Sequence, residues 1–266
     1  VGPIYDKLVL KFDYDANFKL YQGSALGLSA RVSLGKKQWL RTLYRAYKGF
    51  TIIEKISERS SDAQLPIGIV EYYAGISNSI FSWTIRLFDL NPSTDSGLQR
   101  MAIAADDGHW AWIEAKAILS NLYLWVEDQP ILALEHTQDL VKEFPDNFYF
   151  NLLYLESIIR TNNISINSTI IEDMKLSLSK LSDRQREWFT PYLQYEMALL
   201  AFYQENYSKA LELVTSTIEN YTAELDIILG NAYLLQGMAY DKLEHRGKAK
   251  ESYYNCIDLD NFSGSI

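Results

Sequence analysis

The chain has 266 residues, 48% hydrophobic and 14% aromatic, which excludes intrinsic disorder and supplies a continuous apolar seam. A net charge of −9, from 25 basic and 34 acidic residues, speaks against nucleic acid or anionic lipid as partner, since both call for a basic face. Only 6 prolines and 13 glycines interrupt the chain, which favours long helices over strands.

The first stretch, Pro3 to Ala16, is ambiguous. Leu8, Leu10 and Phe12 alternate as in a strand, yet the stretch also suits the remnant of a helical hairpin. A helix is predicted from about Asn17 to Leu34, with a turn at Gly35. A second runs from Lys36 to about Arg59, carrying Trp39, Leu43, Ala46, Tyr47, Phe50, Ile53 and Ile56 at helical spacing. The polar run Ser57 to Gln64 reads as a loop. Pro66 opens a long helix at a first-turn position, where its missing N–H costs little. That helix is predicted to reach Leu90 and to stop at Asn91-Pro92. Ser93 to Ser96 offers N-caps to a helix from Gly97 to Ala105, closed by Asp106-Asp107-Gly108.

Repeated helical hairpins follow. One spans about Trp110 to Pro145 and ends on Phe144-Pro145-Asp146, where the proline stops a helix and the aspartate can cap the next element. A degenerate pair covers Asn147 to Leu181, with a polar linker from Asn162 to Ser168. Another hairpin spans Thr190 to Thr222, with Ala198, Ala201 and Ala210 as small crossing residues and Asn206-Tyr207 as its turn. The last spans Gly230 to Ser263. There Tyr233, Gly237 and Tyr240 lie on one helix, Ala249, Tyr253 and Cys256 lie on the next, and Asn261 stands where a breaker is expected. The reading is about twelve helices in about six antiparallel pairs, forming one all-α domain over residues 1–266. No apolar run of about 18 residues occurs, so no transmembrane helix is predicted.

At these residues the chain resembles a tetratricopeptide repeat (TPR) protein, most clearly over about 110–145, 190–222 and 230–263. Around Gly97-Leu98-Gln99-Arg100 and Asp107-Gly108 it is similar to a group of bacterial TPR-like helical repeat proteins. More distantly it is similar to a eukaryotic TPR family linked to mitochondrial and inclusion-body biology. The resemblance implies a superhelical stack of antiparallel helix pairs. It also implies a non-catalytic scaffold that binds a protein or peptide on a concave groove lined by the first helix of each pair. The matching groove positions are Tyr192, Tyr195, Leu199, Phe202 and Tyr203 in one hairpin. In a second they are Ala117, Asn121, Leu124 and Trp125. In the last they are Asn231, Leu234, Met238, Asp241 and Lys242. A TPR subclass clamps chaperone C-termini with cations, but Tyr195, Leu199, Ala117 and Leu234 occupy those positions here, so that adaptor role is not expected. The aromatic stripe offers rigid contact area with polar tips; its alternative role is core packing against a neighbouring helix.

Catalytic and metal chemistry find little support. His109, His136 and His245 belong to different hairpins, and no Cys/His cluster or HExxH motif is present. Asp106-Asp107 beside His109 could be imagined as an acid–base or cation site, but reads as a helix end followed by a new cap. Asp258, Asp260 and Gly264 fall short of a calcium loop. The single Cys256 reads as a small core residue. The segment Ile76 to Phe88 reads as buried between hairpins, with a membrane-surface helix as its alternative. No cofactor or metal is expected. A self-associating or complex-assembly subunit is the alternative function. The first residue, Val1, suggests a truncated N-terminus. The 19 tyrosines and many asparagines lean toward a bacterial exported protein. The sequons at Asn163, Asn167, Asn206, Asn220 and Asn261 would carry glycans only in a eukaryotic secreted protein.

Overall fold

The computed structural model describes residues 2–12, 15–36, 38–76, 93–162, 167–222 and 227–259. Among them the regular elements are helices, with no strand. They form two compact units, Val1–Lys116 and Ala117–Ile266.

In the first unit α1 is Gly2–Lys11, α2 Ala16–Gly35, α3 Trp39–Glu54, α4 Gln64–Ile76 and α5 Thr94–Asp107. The ambiguous N-terminal stretch is thus a helix. Tyr5, Leu8 and Phe12 are half-buried at spacings of three and four, whereas Leu10 points to solvent, so the apparent alternation does not define a face. The stretch rests on α2 through Gln22 Nε2, which donates to Asp6 Oδ1 at 2.6 Å, and through Tyr5 against Tyr21. Between α3 and α4, two 3-10 turns, Ser57–Arg59 and Ser61–Ala63, replace the end of the predicted second helix. The part of the third predicted helix beyond Ile76, its stop at Asn91-Pro92, and Asn163, Asp260, Asn261 and Gly264 lie outside the described residues.

Two helix pairs organise this unit. α2 and α3 approach so closely at Gly23 and Gly49 that a Cβ on Gly49 would lie 2.8 Å from the Gly23 carbonyl oxygen. α4 and α5 meet at Gly68 and Gly97. Beside that crossing the buried Glu71 carboxylate accepts from Ser96 Oγ at 2.8 Å and Arg100 Nε at 2.9 Å, and Arg100 Nη1 donates to Gln64 Oε1. α5 begins at Thr94, earlier than expected, because the Ser93 side chain accepts from Ser96 N. It ends at Gly108, as the Asp-Asp-Gly signal predicts.

Helix α6, Trp112–Trp125, is followed in the second unit by α7 Pro130–Glu143, α8 Phe148–Arg160, α9 Asn167–Ser179, α10 Asp183–Tyr203, α11 Tyr207–Asn220, α12 Ile227–Lys242 and α13 Arg246–Asp258. α7 packs on α8, α10 on α11, α11 on α12 and α12 on α13. Helix α10 starts at Asp183 rather than Thr190, because Ser182 and Gln185 form a capping box ahead of it. Pro191 sits inside this helix and removes the amide that would donate to the carbonyl of the exposed Glu187.

The turns of the two C-terminal hairpins share one design. Glu205 and Glu244 are left-handed, with φ of 60° and 62°. In each turn the next amide reaches back to a carbonyl five residues earlier, Asn206 N to Ala201 O and His245 N to Tyr240 O, both at 2.9 Å. This is the Schellman ending, made here without the usual glycine.

Candidate functional site

The second unit holds an open cavity of about 300 Å³. Four helices and the turn after α6 build it; α8 contributes Arg160, and the turn Val126 and Asp128. α6 contributes Leu124 and Trp125 at its C-terminal end. α10 contributes Tyr195, Leu199, Phe202 and Tyr203 at spacings of three and four. α12 contributes Asn231, Leu234, Leu235 and Met238 on one face. Nine of the fourteen groove positions expected from the sequence line one space, and Ala117, Asn121, Asp241 and Lys242 do not. Tyr192 also lies apart, in an aromatic group with Trp188, Phe189 and Tyr221.

The stripe divides into a floor and a rim. Tyr195 is 1% exposed, and Leu124, Trp125 and Leu199 are also buried. Tyr203 and Met238 are 39% and 38% exposed, with Phe202 and Leu234 half-buried. Phe202, Tyr203, Leu234 and Met238 thus form an accessible rim over a core-like floor, and the exposed Asp128 side chain lines the cavity beside them.

A charged cluster borders the cavity, with Arg160 and Asp128 among its lining residues. Glu156 on α8 is wholly buried, and its Oε2 accepts from Trp125 Nε1 at 2.8 Å. Its Oε1 faces Arg160 Nε at 3.1 Å as an ion pair one helical turn on. Arg160 Nη1 donates to the Leu124 carbonyl at 2.6 Å and approaches Asp128 Oδ1 at 3.3 Å. Burial works against the guanidinium charge, but the Glu156 carboxylate and Tyr195 outweigh it, so the Arg160 pKa stands above its ordinary value. The second buried acid, Glu196 on α10, is held well above the ordinary carboxylate range by burial, by the Glu156 charge and by donating its proton to Glu156. Burial likewise drives the Tyr195 phenol upward.

Three buried polar atoms of the described residues lack a hydrogen-bond partner here: Glu156 Oε1, which keeps its ion pair with Arg160, Glu196 Oε2 and Asn231 Nδ2. Asn231 is 4% exposed and lines the cavity. It therefore offers a desolvated donor to any acceptor that enters.

Other sequence candidates lie elsewhere. Asn121 donates to the Ala117 carbonyl and accepts from Tyr149 OH at 2.9 Å; Tyr149 is pushed up to about 12, chiefly by burial. Asp241 accepts from Tyr253 OH. The histidine rings meet aromatic neighbours and not one another: His109 with Trp110, His136 stacked on Tyr123, His245 against Tyr240. No group of three metal-binding side chains occurs among the described residues. None of the described helices is long and apolar enough to cross a membrane.

Sequence reasoning missed Glu156, Arg160 and Glu196. The available signal was a single charged residue, a glutamate, inside each of the largely apolar runs Phe148–Ile159 and Leu193–Tyr203, since an unpaired charge is not buried in such a helix.

No family model matches the sequence, and no curated protein matches it. Among solved structures, a tetratricopeptide repeat protein from Parabacteroides merdae ATCC 43184 has a similar fold. Its TM-score is 0.50, at 13% identity, over 97% of this chain and 93% of that one. The fold is that of a TPR protein.

The all-α class of paired antiparallel helices, the TPR-like α-α superhelix, then explains the small residues of the hairpins. A Cβ on Gly237 would run into the Tyr253 ring of the facing helix. Ala249 and Cys256 are buried on α13, and Ala198, Ala201 and Ala210 fill the same role between α10 and α11. In this TPR fold the cavity is lined from α6, α8, α10 and α12, the first helices of successive pairs.

Proposed function

We propose that the chain is a non-catalytic protein-interaction scaffold that holds a peptide or protein segment in the cavity of residues 117–266. One observation carries this reading: an apolar rim of Phe202, Tyr203, Leu234 and Met238 surrounds a buried amide donor, Asn231 Nδ2, that has no partner among the described residues. An apolar side chain of a partner would fill the space, and a carbonyl beside it would satisfy the amide. Arg160 does not act as a carboxylate clamp, because Glu156 and Asp128 already neutralise it.

A photo-crosslinking amino acid at position 203 or 238, expressed in the native cell, tests this. The expected result is one recurring partner peptide, lost when Phe202→Asp is added. Adducts only with a second copy of the chain would favour the self-associating alternative. Adducts unaffected by Phe202→Asp would refute the groove.

A further inference from the structure

The first unit holds a second, larger cavity, about 610 Å³, between the α2–α3 pair, α4 and the turn at Trp110. Gly23 and Gly49 belong to the close α2–α3 crossing, and Gly27 leaves open space. Gly23, Gly27 and Gly49 line it, and a Cβ built on Gly27 would meet nothing within 4 Å. The wall of α2 from Leu20 to Ala30 gives it a length of about 15 Å. Leucine, isoleucine, valine and phenylalanine side chains cover much of the rest. The volume lies within the range of small-molecule sites, roughly 300–1,000 Å³. A partner helix about 10–12 Å across would place little more than one turn inside it, so a slender molecule fits better than a helix.

The charge of the cavity is one-sided. Among the described lining residues the charged ones are Asp62 and Glu114, and no cation is present. Asp62 belongs to the end marked by Trp110 and Ala111, where its Oδ1 accepts from both amides at 2.9 and 2.8 Å, and Glu114 follows three residues after Ala111 in the first turn of α6. The Trp110 indole is exposed at this end. A carboxylate or phosphate headgroup would be repelled there. An ammonium would meet two acids and an aromatic face.

We propose that this cavity binds a cationic amphiphile, with its apolar body along the glycine-lined wall of α2 and α3 and its ammonium beside Glu114, Asp62 and Trp110. The site is separate from the groove in the other unit and does not depend on it.

Calorimetric titration of the whole chain with dodecylammonium, 1-dodecanol and dodecanoate, each below its aggregation concentration, tests the proposal. The expected result is saturable one-site binding of dodecylammonium, at least tenfold tighter than dodecanol and weaker still for dodecanoate. Gly27→Leu places a side chain in the open space and should weaken dodecylammonium at least tenfold. Glu114→Gln, an exposed and conservative change, should bring dodecylammonium close to dodecanol. Phe202→Ala, in the other unit, should leave all three unchanged. Lack of saturable binding by the wild-type chain overturns the proposal. So does dodecanoate or dodecanol binding as tightly as dodecylammonium, or binding indifferent to both Gly27→Leu and Glu114→Gln with the circular dichroism spectrum intact.

Discussion

Trp125 Nε1 donates to Glu156 Oε2 at 2.8 Å, which ties the wall of the groove to a carboxylate with no exposure to water. The indole therefore fixes the cavity wall and also stabilises a buried charge. Trp125→Phe keeps the ring and removes the donor. It is expected to lower stability by about 1–3 kcal/mol, the cost of leaving a buried polar atom unpaired. Urea unfolding would show the loss as a lower midpoint at unchanged slope. An unchanged midpoint would mean that another donor replaces the indole.

Glu196 makes stability depend on pH in an unusual direction. Burial and the neighbouring Glu156 charge raise its pKa well above the ordinary 4.5. The folded state thus keeps a proton that the unfolded chain releases. The contribution is complete below the unfolded pKa and is lost as pH rises toward the folded value. The unfolding midpoint is expected to fall from about pH 5 to pH 8. Glu196→Gln imitates the protonated form, so it should fold and flatten that slope. Equal slopes in both proteins would remove Glu196 as the cause.

The contrast between these acids and the rest of the site shows what the sequence could reveal. The TPR resemblance placed Tyr195, Leu199, Phe202 and Tyr203 among the groove positions, and a period of 3.6 residues, a property of the backbone, sets them on one face of a helix. It could not say which of them are covered, since Tyr195 is buried beside Glu156 and Arg160, 39 and 35 positions away. Tyr192 shares the stripe in sequence, yet it turns to Trp188 and Tyr221. Helix starts moved for a local reason: the Ser182–Gln185 box and the Ser93 cap outrank the signals at Thr190 and Gly97. The hairpin turns were found, but their left-handed residues are glutamates where glycine is the usual marker.

Gly97 and Gly27 should respond to alanine with opposite signs. A Cβ on Gly97 would lie 2.6 Å from Tyr72 N and 2.7 Å from the Gly68 carbonyl oxygen, both backbone atoms that cannot swing away. Gly97→Ala must push α4 from α5 and is expected to cost about 1–3 kcal/mol. Gly27 lies within α2 with open space around its missing Cβ. Gly27→Ala should stabilise by up to about 1 kcal/mol through helix propensity. Thermal unfolding of the two variants separates them, and a shift of the same sign in both would contradict the close packing at Gly97.

Asp62 joins two parts of the first unit that are 48 residues apart. Its Oδ1 accepts from the Trp110 and Ala111 amides, just ahead of α6, and these orphan donors have no intrahelical partner. The contact is an N-terminal cap supplied from a distant turn, in place of a neighbouring Ser or Asp. Removing the acceptor leaves two amides unpaired, so Asp62→Ala is expected to cost about 1–2 kcal/mol, as other cap losses do. Asp62→Asn keeps an oxygen in place and should recover most of that loss. The decisive measurement is amide hydrogen exchange at Trp110 and Ala111. Both should exchange faster in Asp62→Ala and near the native rate in Asp62→Asn. Uniform acceleration across α2 and α3 instead would show that Asp62 supports the fold by packing, and that the cap contributes little.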